Sequence, residues 1–124
     1  MMHKTPIKIT CLGLGAWGFT LANLLASNGH HVLGWSRDVK LIEFLKKEQQ
    51  HPKFLGHKKE ISLHVTSNLQ EALSHGDVVL ESVTSKGVRE VLKHVLEINP
   101  QFVKPIILTS KGIEQKTGLL VDEI

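Results

Sequence analysis

Ile7-Lys8-Ile9-Thr10-Cys11-Leu12 runs directly into Gly13-Leu14-Gly15-Ala16-Trp17-Gly18, and this junction decides the fold. The first six residues are β-rich and end on glycine, the pattern of a strand. The next six read G-x-G-x-x-G, a weak string alone that gains meaning from a strand before it and a helix after it. The helix is predicted over residues 17–28, where Leu21, Leu24 and Leu25 share a face with Ala22 and Ala26 beside them. In such a unit Gly13 makes the tight turn, Gly15 lets the backbone approach a pyrophosphate, and Gly18 lets the helix pack closely on the sheet. The helix N-terminus offers unpaired N–H groups and a positive dipole end to the phosphates.

Working outward, Asn28-Gly29 caps the helix with a residue that tolerates the left-handed conformation. Residues 31–35 read as a second strand, and 38–48 as a helix with Leu41, Ile42 and Leu45 inward. Residues 49–60, with Pro52 and Gly56, read as a polar loop. A short strand follows at 63–66. Ser67 with Gln70 three residues later reads as a capping box opening a short helix that Gly76 ends. Residues 77–83 form an apolar strand of the kind covered on both faces. Residues 85–98 form a helix with Val88, Val91, Leu92, Val95 and Leu96 at helical spacing, stopped by Asn99-Pro100. A last strand spans 105–109.

Strictly alternating strands and helices imply a parallel sheet with helices on both faces, because parallel strands need right-handed crossovers. The expected class is α/β, a Rossmann-type doubly wound parallel sheet with visible strand order 3-2-1-4-5. Residues 1–124 are expected to form one dinucleotide-binding domain, incomplete at its C-terminal end. Residues 117–124 look like a helix just beginning, with no glycine or basic last turn to close it.

Composition excludes several classes. Charged residues are 22% and interspersed, which argues against disorder. The net charge of +3 is mild, and the Lys46-Lys47 and Lys58-Lys59 pairs are too short to argue for nucleic acid. The single cysteine, Cys11, lies in an apolar run and reads as a buried, inert thiol. The eight histidines include no i, i+4 pair, so no metal site is expected. No apolar run reaches the roughly 18 residues of a membrane span. The polar residues 1–6 carry no signal-peptide pattern, so the expected location is the cytoplasm.

At the end of the second strand, Gly34-Trp35-Ser36-Arg37-Asp38 lacks an acid at 35 or 36, where a preference for NAD would place one. Arg37 can pair a 2′-phosphate as a charged fork and stack on adenine, with Ser36 beside it. That favours NADPH, or use of both NADP and NAD. The competing reading makes Arg37 plain surface and Ser36 or Asp38 a helix cap. Trp35 reads as packed in the protein, although the strand is too short to fix its phase. Lys111, followed by Gly112, stands beyond the last strand and is expected to project into the ligand crevice.

These residues resemble a known family. The glycine loop with tryptophan, Leu21 to Ala26, Asn28-Gly29-His30, Trp35-Ser36-Arg37, Ser85 with Arg89, and above all Lys111-Gly112-Ile113-Glu114 are similar to the bacterial NAD(P)-dependent sn-glycerol-3-phosphate dehydrogenases. The resemblance implies hydride transfer between NAD(P)H and dihydroxyacetone phosphate, a small phosphate substrate, in support of glycerophospholipid synthesis. It implies that Ala16, Trp17 and Arg37 line the cofactor site with the glycines, and that Lys111 touches both cofactor and substrate. The family's catalytic lysine lies in a following helical domain, so no catalytic residue is assigned here and this chain alone is expected to be inactive. The oligomeric state of a full-length enzyme stays open.

Two departures stand out. Ala16 replaces the family's usual serine, and Val83-Thr84-Ser85 replaces Val-Pro-Ser. Two rival readings are a non-catalytic nucleotide-binding module and a related two-domain dehydrogenase of hydroxy acids or sugar acids. The Lys-Gly-Ile-Glu run argues against both.

Overall fold

The computed structural model describes residues 5–53, 58–82, 85–100 and 104–108. The apolar run before the glycine loop forms β1 (Lys8–Leu12), and the helix after it is α1 (Ala16–Ser27). There follow β2 (His31–Trp35), α2 (Val39–Glu48), β3 (Leu63–Thr66), α3 (Leu69–His75), β4 (Val78–Glu81), α4 (Ser85–Ile98) and β5 (Ile106–Leu108). The five strands make one sheet in the order β3-β2-β1-β4-β5. Every pairing in it is parallel. β1 is central, with Cys11 in register with Gly34 on one side and Leu80 on the other. The chain steps outward from β1 through β2 to β3, then crosses back by α3 to β4 on the other side of β1. That reversal opens a crevice at the carboxyl ends of the strands.

Both faces of the sheet are covered. On one, Ile9, Cys11 and Val32 pack with Phe19 and Ala22 of α1 and Ile42 and Leu45 of α2. On the other, Leu12, Leu33 and Trp35 pack with Leu69 and Leu73 of α3 and Val91 and Val95 of α4. The phase of β2 is thereby fixed: Trp35 faces α3 and α4, buried, with its indole N–H donating to Ser67 O at 3.1 Å. Cys11 is fully buried, and burial pushes its thiol up to about 12. It is inert, as its apolar surroundings predict. Among the described residues no helix is long and apolar enough to cross a membrane, and no cluster of three or more metal-ligating side chains occurs.

The helix ends follow their chemistry. Gly29 adopts φ 95°. Its N–H bonds Ala26 O, and His30 N–H bonds Leu25 O, closing α1 in a Schellman motif. Asp38 Oδ1 accepts the Leu41 N–H and caps α2.

Three expectations need correction. The buried face of α1 is Phe19, Ala22 and Ala26, with Gly18; Leu24 is exposed, and Leu21 and Leu25 are only partly buried. Small residues at 18, 22 and 26 let the helix lie close to the sheet, which rotates the leucines to its flanks. The cap of α3 is Asn68, not Ser67: Asn68 Oδ1 accepts the Glu71 N–H at 3.0 Å. The Thr66 hydroxyl takes the Asn68 N–H at 3.0 Å and so starts the helix one residue later. On α4, Val91 and Val95 are buried but Leu96 is exposed. The expectations for residues 109–124, including Lys111 and the terminal helix, and for Val83 and Thr84 fall outside the described residues.

Candidate functional site

Each glycine of the loop has a distinct physical reason. Gly13 has φ 104°, a conformation open to glycine and costly for other residues. Its N–H donates to Trp35 O at 2.8 Å, tying the turn to β2. A Cβ on Gly18 would collide with the Gly13 carbonyl, so α1 packs against the turn only because that atom is missing. Gly15 differs from both. It caps α1 with φ −66°, which any residue can adopt, and a Cβ there would meet nothing within 4 Å. Gly15 faces open space at the N-terminus of α1.

Three neighbours flank the loop. Ala16 is half-buried and the Trp17 indole is 57% exposed beside the loop. Ser82, just beyond β4, donates its N–H to Leu12 O at 2.8 Å. Its hydroxyl is buried and finds no hydrogen-bond partner among the described residues. Its Cβ stands 3.2 Å from where a Gly18 Cβ would be, so this hydroxyl borders the glycine loop. Glu81, the last residue of β4, is fully buried in register with Leu12 and Leu108.

After β2, Ser36 Oγ accepts the Asp38 N–H at 3.1 Å, so the turn uses both residues to start α2. Arg37 is exposed and its Nη1 lies 2.8 Å from Glu90 Oε1 on α4. The Arg37 hydrogen bond and charge hold the Glu90 carboxyl below the usual carboxylate range, with His94 adding to the effect. Trp35, Arg37, Asn68, Glu90, Lys93 and His94 border a groove of about 700 Å³ between α3 and α4. The glycine loop lies outside this groove. The structure therefore brings Gly13, Gly15, Ala16, Trp17 and Gly18 together at one helix terminus and sets Ser36 and Arg37 at the neighbouring strand end.

Sequence reasoning missed Glu90 and His51. Glu90 looks like any exposed acid on an amphipathic helix. His51 lies in the polar stretch after α2, yet it is 2% exposed and bonds Leu14 O in the glycine loop. No local pattern marks it.

A doubly wound sheet with a G-x-G-x-x-G turn opening α1 at its switch point defines a Rossmann-type domain. The chain belongs to the family described as NAD-dependent glycerol-3-phosphate dehydrogenase N-terminus, whose model matches residues 8–124. It is 48% identical over 116 residues to a glycerol-3-phosphate dehydrogenase [NAD(P)+] of Chlamydia muridarum, a match covering 94% of this chain and 34% of that protein. A protein of the same name from Protochlamydia amoebophila is 44% identical over 117 residues, covering 94% of this chain and 35% of that one. The chain thus spans about a third of the length of the curated relatives it matches. Among solved structures, the glycerol-3-phosphate dehydrogenase of Coxiella burnetii superposes with a TM-score of 0.84 at 24% identity, covering 95% of this chain and 36% of that one. That likeness bears on the fold.

Proposed function

We propose that this chain is the cofactor-binding part of a cytoplasmic oxidoreductase that interconverts dihydroxyacetone phosphate and sn-glycerol 3-phosphate with NAD(P)H, supplying glycerophospholipid synthesis. Gly15 carries the reading. Neither its backbone angles nor its packing asks for glycine. A pyrophosphate lying against the loop does. The names of the curated relatives supply the reaction, and the family match supplies the cofactor class.

The nicotinamide, when bound, supplies the hydride. The protein's groups bind and orient. Gly13, Gly15, Ala16 and Gly18 present the loop and the α1 N-terminus to the phosphates, and Trp17, by resemblance, lines the site beside them. Ser36 can donate its hydroxyl proton to a ribose while its oxygen accepts from Asp38. Arg37 is the group for a 2′-phosphate, and with no acid at 35 or 36 it favours NADPH. Lys111, by resemblance, contacts both cofactor and substrate.

The test joins these 124 residues to the remaining two-thirds or so of the Chlamydia muridarum relative and follows NADPH oxidation. Turnover with dihydroxyacetone phosphate is expected, and none with 2-keto acids or with oxidised sugar acids. Turnover with an acid substrate alone would assign the rival dehydrogenase class. The unjoined chain should bind cofactor without turnover, because by resemblance the group that protonates the substrate carbonyl lies outside it.

A further inference from the structure

Residues 49–53 and 58–60, after α2, lie beside α1. Lys59 N–H donates to Gln49 O at 2.6 Å, and Gln50 bridges Lys58 in antiparallel fashion. Asn23 on α1 holds the returning residues twice: its Nδ2 donates to Lys58 O at 3.3 Å and its Oδ1 accepts the Glu60 N–H at 2.7 Å. The inner end of this stretch carries His51, buried with its ring centroid 5.0 Å from that of Phe19.

The two ring nitrogens have different partners. Nδ1 lies 3.0 Å from the Lys53 backbone nitrogen and accepts its N–H. A nitrogen that accepts carries no proton, so in the neutral ring Nε2 carries it. Nε2 lies 2.9 Å from Leu14 O and donates to it. Leu14 sits between the first two glycines of the loop. No cis peptide bond occurs among the described residues, and in a trans peptide the C=O and the next N–H point in opposite directions. With the Leu14 carbonyl turned to the imidazole, the Gly15 N–H points away from it.

The rest of the turn is already anchored. Gly13 N–H is bound by Trp35 O, and the buried Leu14 side chain packs against the bare backbone of Gly34. The plane of the peptide joining Leu14 and Gly15 is the remaining freedom, and glycine does little to restrict it. We infer that His51 is a positioning residue of the dinucleotide site: its neutral Nε2–H tautomer sets that plane so that the Gly15 amide faces the cofactor's phosphates. The inference rests on the cofactor reading above. Because the pyrophosphate is common to both cofactors, His51 acts equally on NADH and NADPH.

The test compares the full chain with His51→Leu, which fills space without a donor, and His51→Gln, whose amide nitrogen can stand in for Nε2. NADH and NADPH are titrated separately by calorimetry, and a long-range nitrogen–proton spectrum reads the tautomer in the wild type. The expected result is the Nε2–H tautomer, a loss of about tenfold or more for both cofactors in His51→Leu, and retention within about threefold in His51→Gln. A folded His51→Leu that binds as the wild type does would overturn the inference. So would the Nδ1–H tautomer, or a folded His51→Gln as impaired as His51→Leu. If His51→Leu does not fold, the tautomer and the His51→Gln affinity decide by the same limits; a His51→Gln that does not fold also overturns it, since the donor then fails to replace the ring. Wild type that binds neither cofactor would remove the cofactor reading itself, a result distinct from normal wild-type binding with an indifferent His51→Leu.

Discussion

Arg37 Nη1 lies 2.8 Å from Glu90 Oε1, tying the turn after β2 to α4. Both side chains are exposed, so the pair adds little to stability. Its consequence is for ligand choice. Glu90 holds the guanidinium that a 2′-phosphate would need. Glu90→Gln should therefore strengthen NADPH binding several-fold and leave NADH unchanged. Arg37→Ala should weaken NADPH more than NADH, by about 1–3 kcal/mol, the range for a charge-assisted contact. Titrations of both cofactors at one fixed salt concentration check this, since screening alters such pairs. A wild-type preference for NADH would contradict the role given to Arg37.

Cys11 should be silent toward thiol reagents until the fold opens. Burial raises its thiol from an ordinary 9.0 to about 12, so the folded state holds the proton more tightly than the unfolded chain. The stability that follows is fully present below pH 9.0 and is lost as pH rises from there toward about 12. Native protein with an aromatic disulfide reagent should show no reaction at neutral pH, and one thiol in denaturant. Urea midpoints should fall less steeply over the alkaline range in Cys11→Ala than in the wild type. Rapid labelling of the native thiol would contradict the buried position.

Two pairs of substitutions separate the structural residues from their neighbours. Gly18→Ala drives a Cβ into the Gly13 carbonyl and should cost about 1–3 kcal/mol as overpacking. Gly15→Ala enters open space and should stay within about 0.5 kcal/mol of the wild type in stability. Asn68→Ala removes the α3 cap and should cost about 1 kcal/mol. Ser67→Ala should be nearly neutral, because the contact of Ser67 with Trp35 runs through its backbone carbonyl. Urea unfolding of the four variants reads all of these.

The architecture was legible because its signals are local. Alternating apolar runs and helical periodicities, with the glycine loop between the first two, imply the strand order, and His31–Trp35, Leu63–Thr66 and Ser85–Ile98 fall where the pattern puts them. What was not legible depends on distant partners. His51 and Leu14 are 37 positions apart, and Arg37 and Glu90 are 53. Nothing in either neighbourhood encodes the pairing. The face of α1 was misjudged because leucine outranks alanine in apolarity, whereas space against the sheet favours the small residue. The choice of Asn68 over Ser67 turned on the Thr66 hydroxyl, and both residues are good caps by type.

The proposed function depends on the loop at Gly13, Gly15 and Gly18 cradling a dinucleotide pyrophosphate. Gly15→Val is the variant to use, because the space around a Cβ at Gly15 is open to 4 Å and a branched side chain there would occupy the face at the α1 N-terminus. The measurement is calorimetric titration of NADPH and NADH into wild type and Gly15→Val, with circular dichroism of each. One saturable site in the wild type, no detectable binding in the variant and matching spectra are expected. Equal binding by a folded Gly15→Val would show that the loop is only a structural turn and that the pyrophosphate does not lie against Gly15.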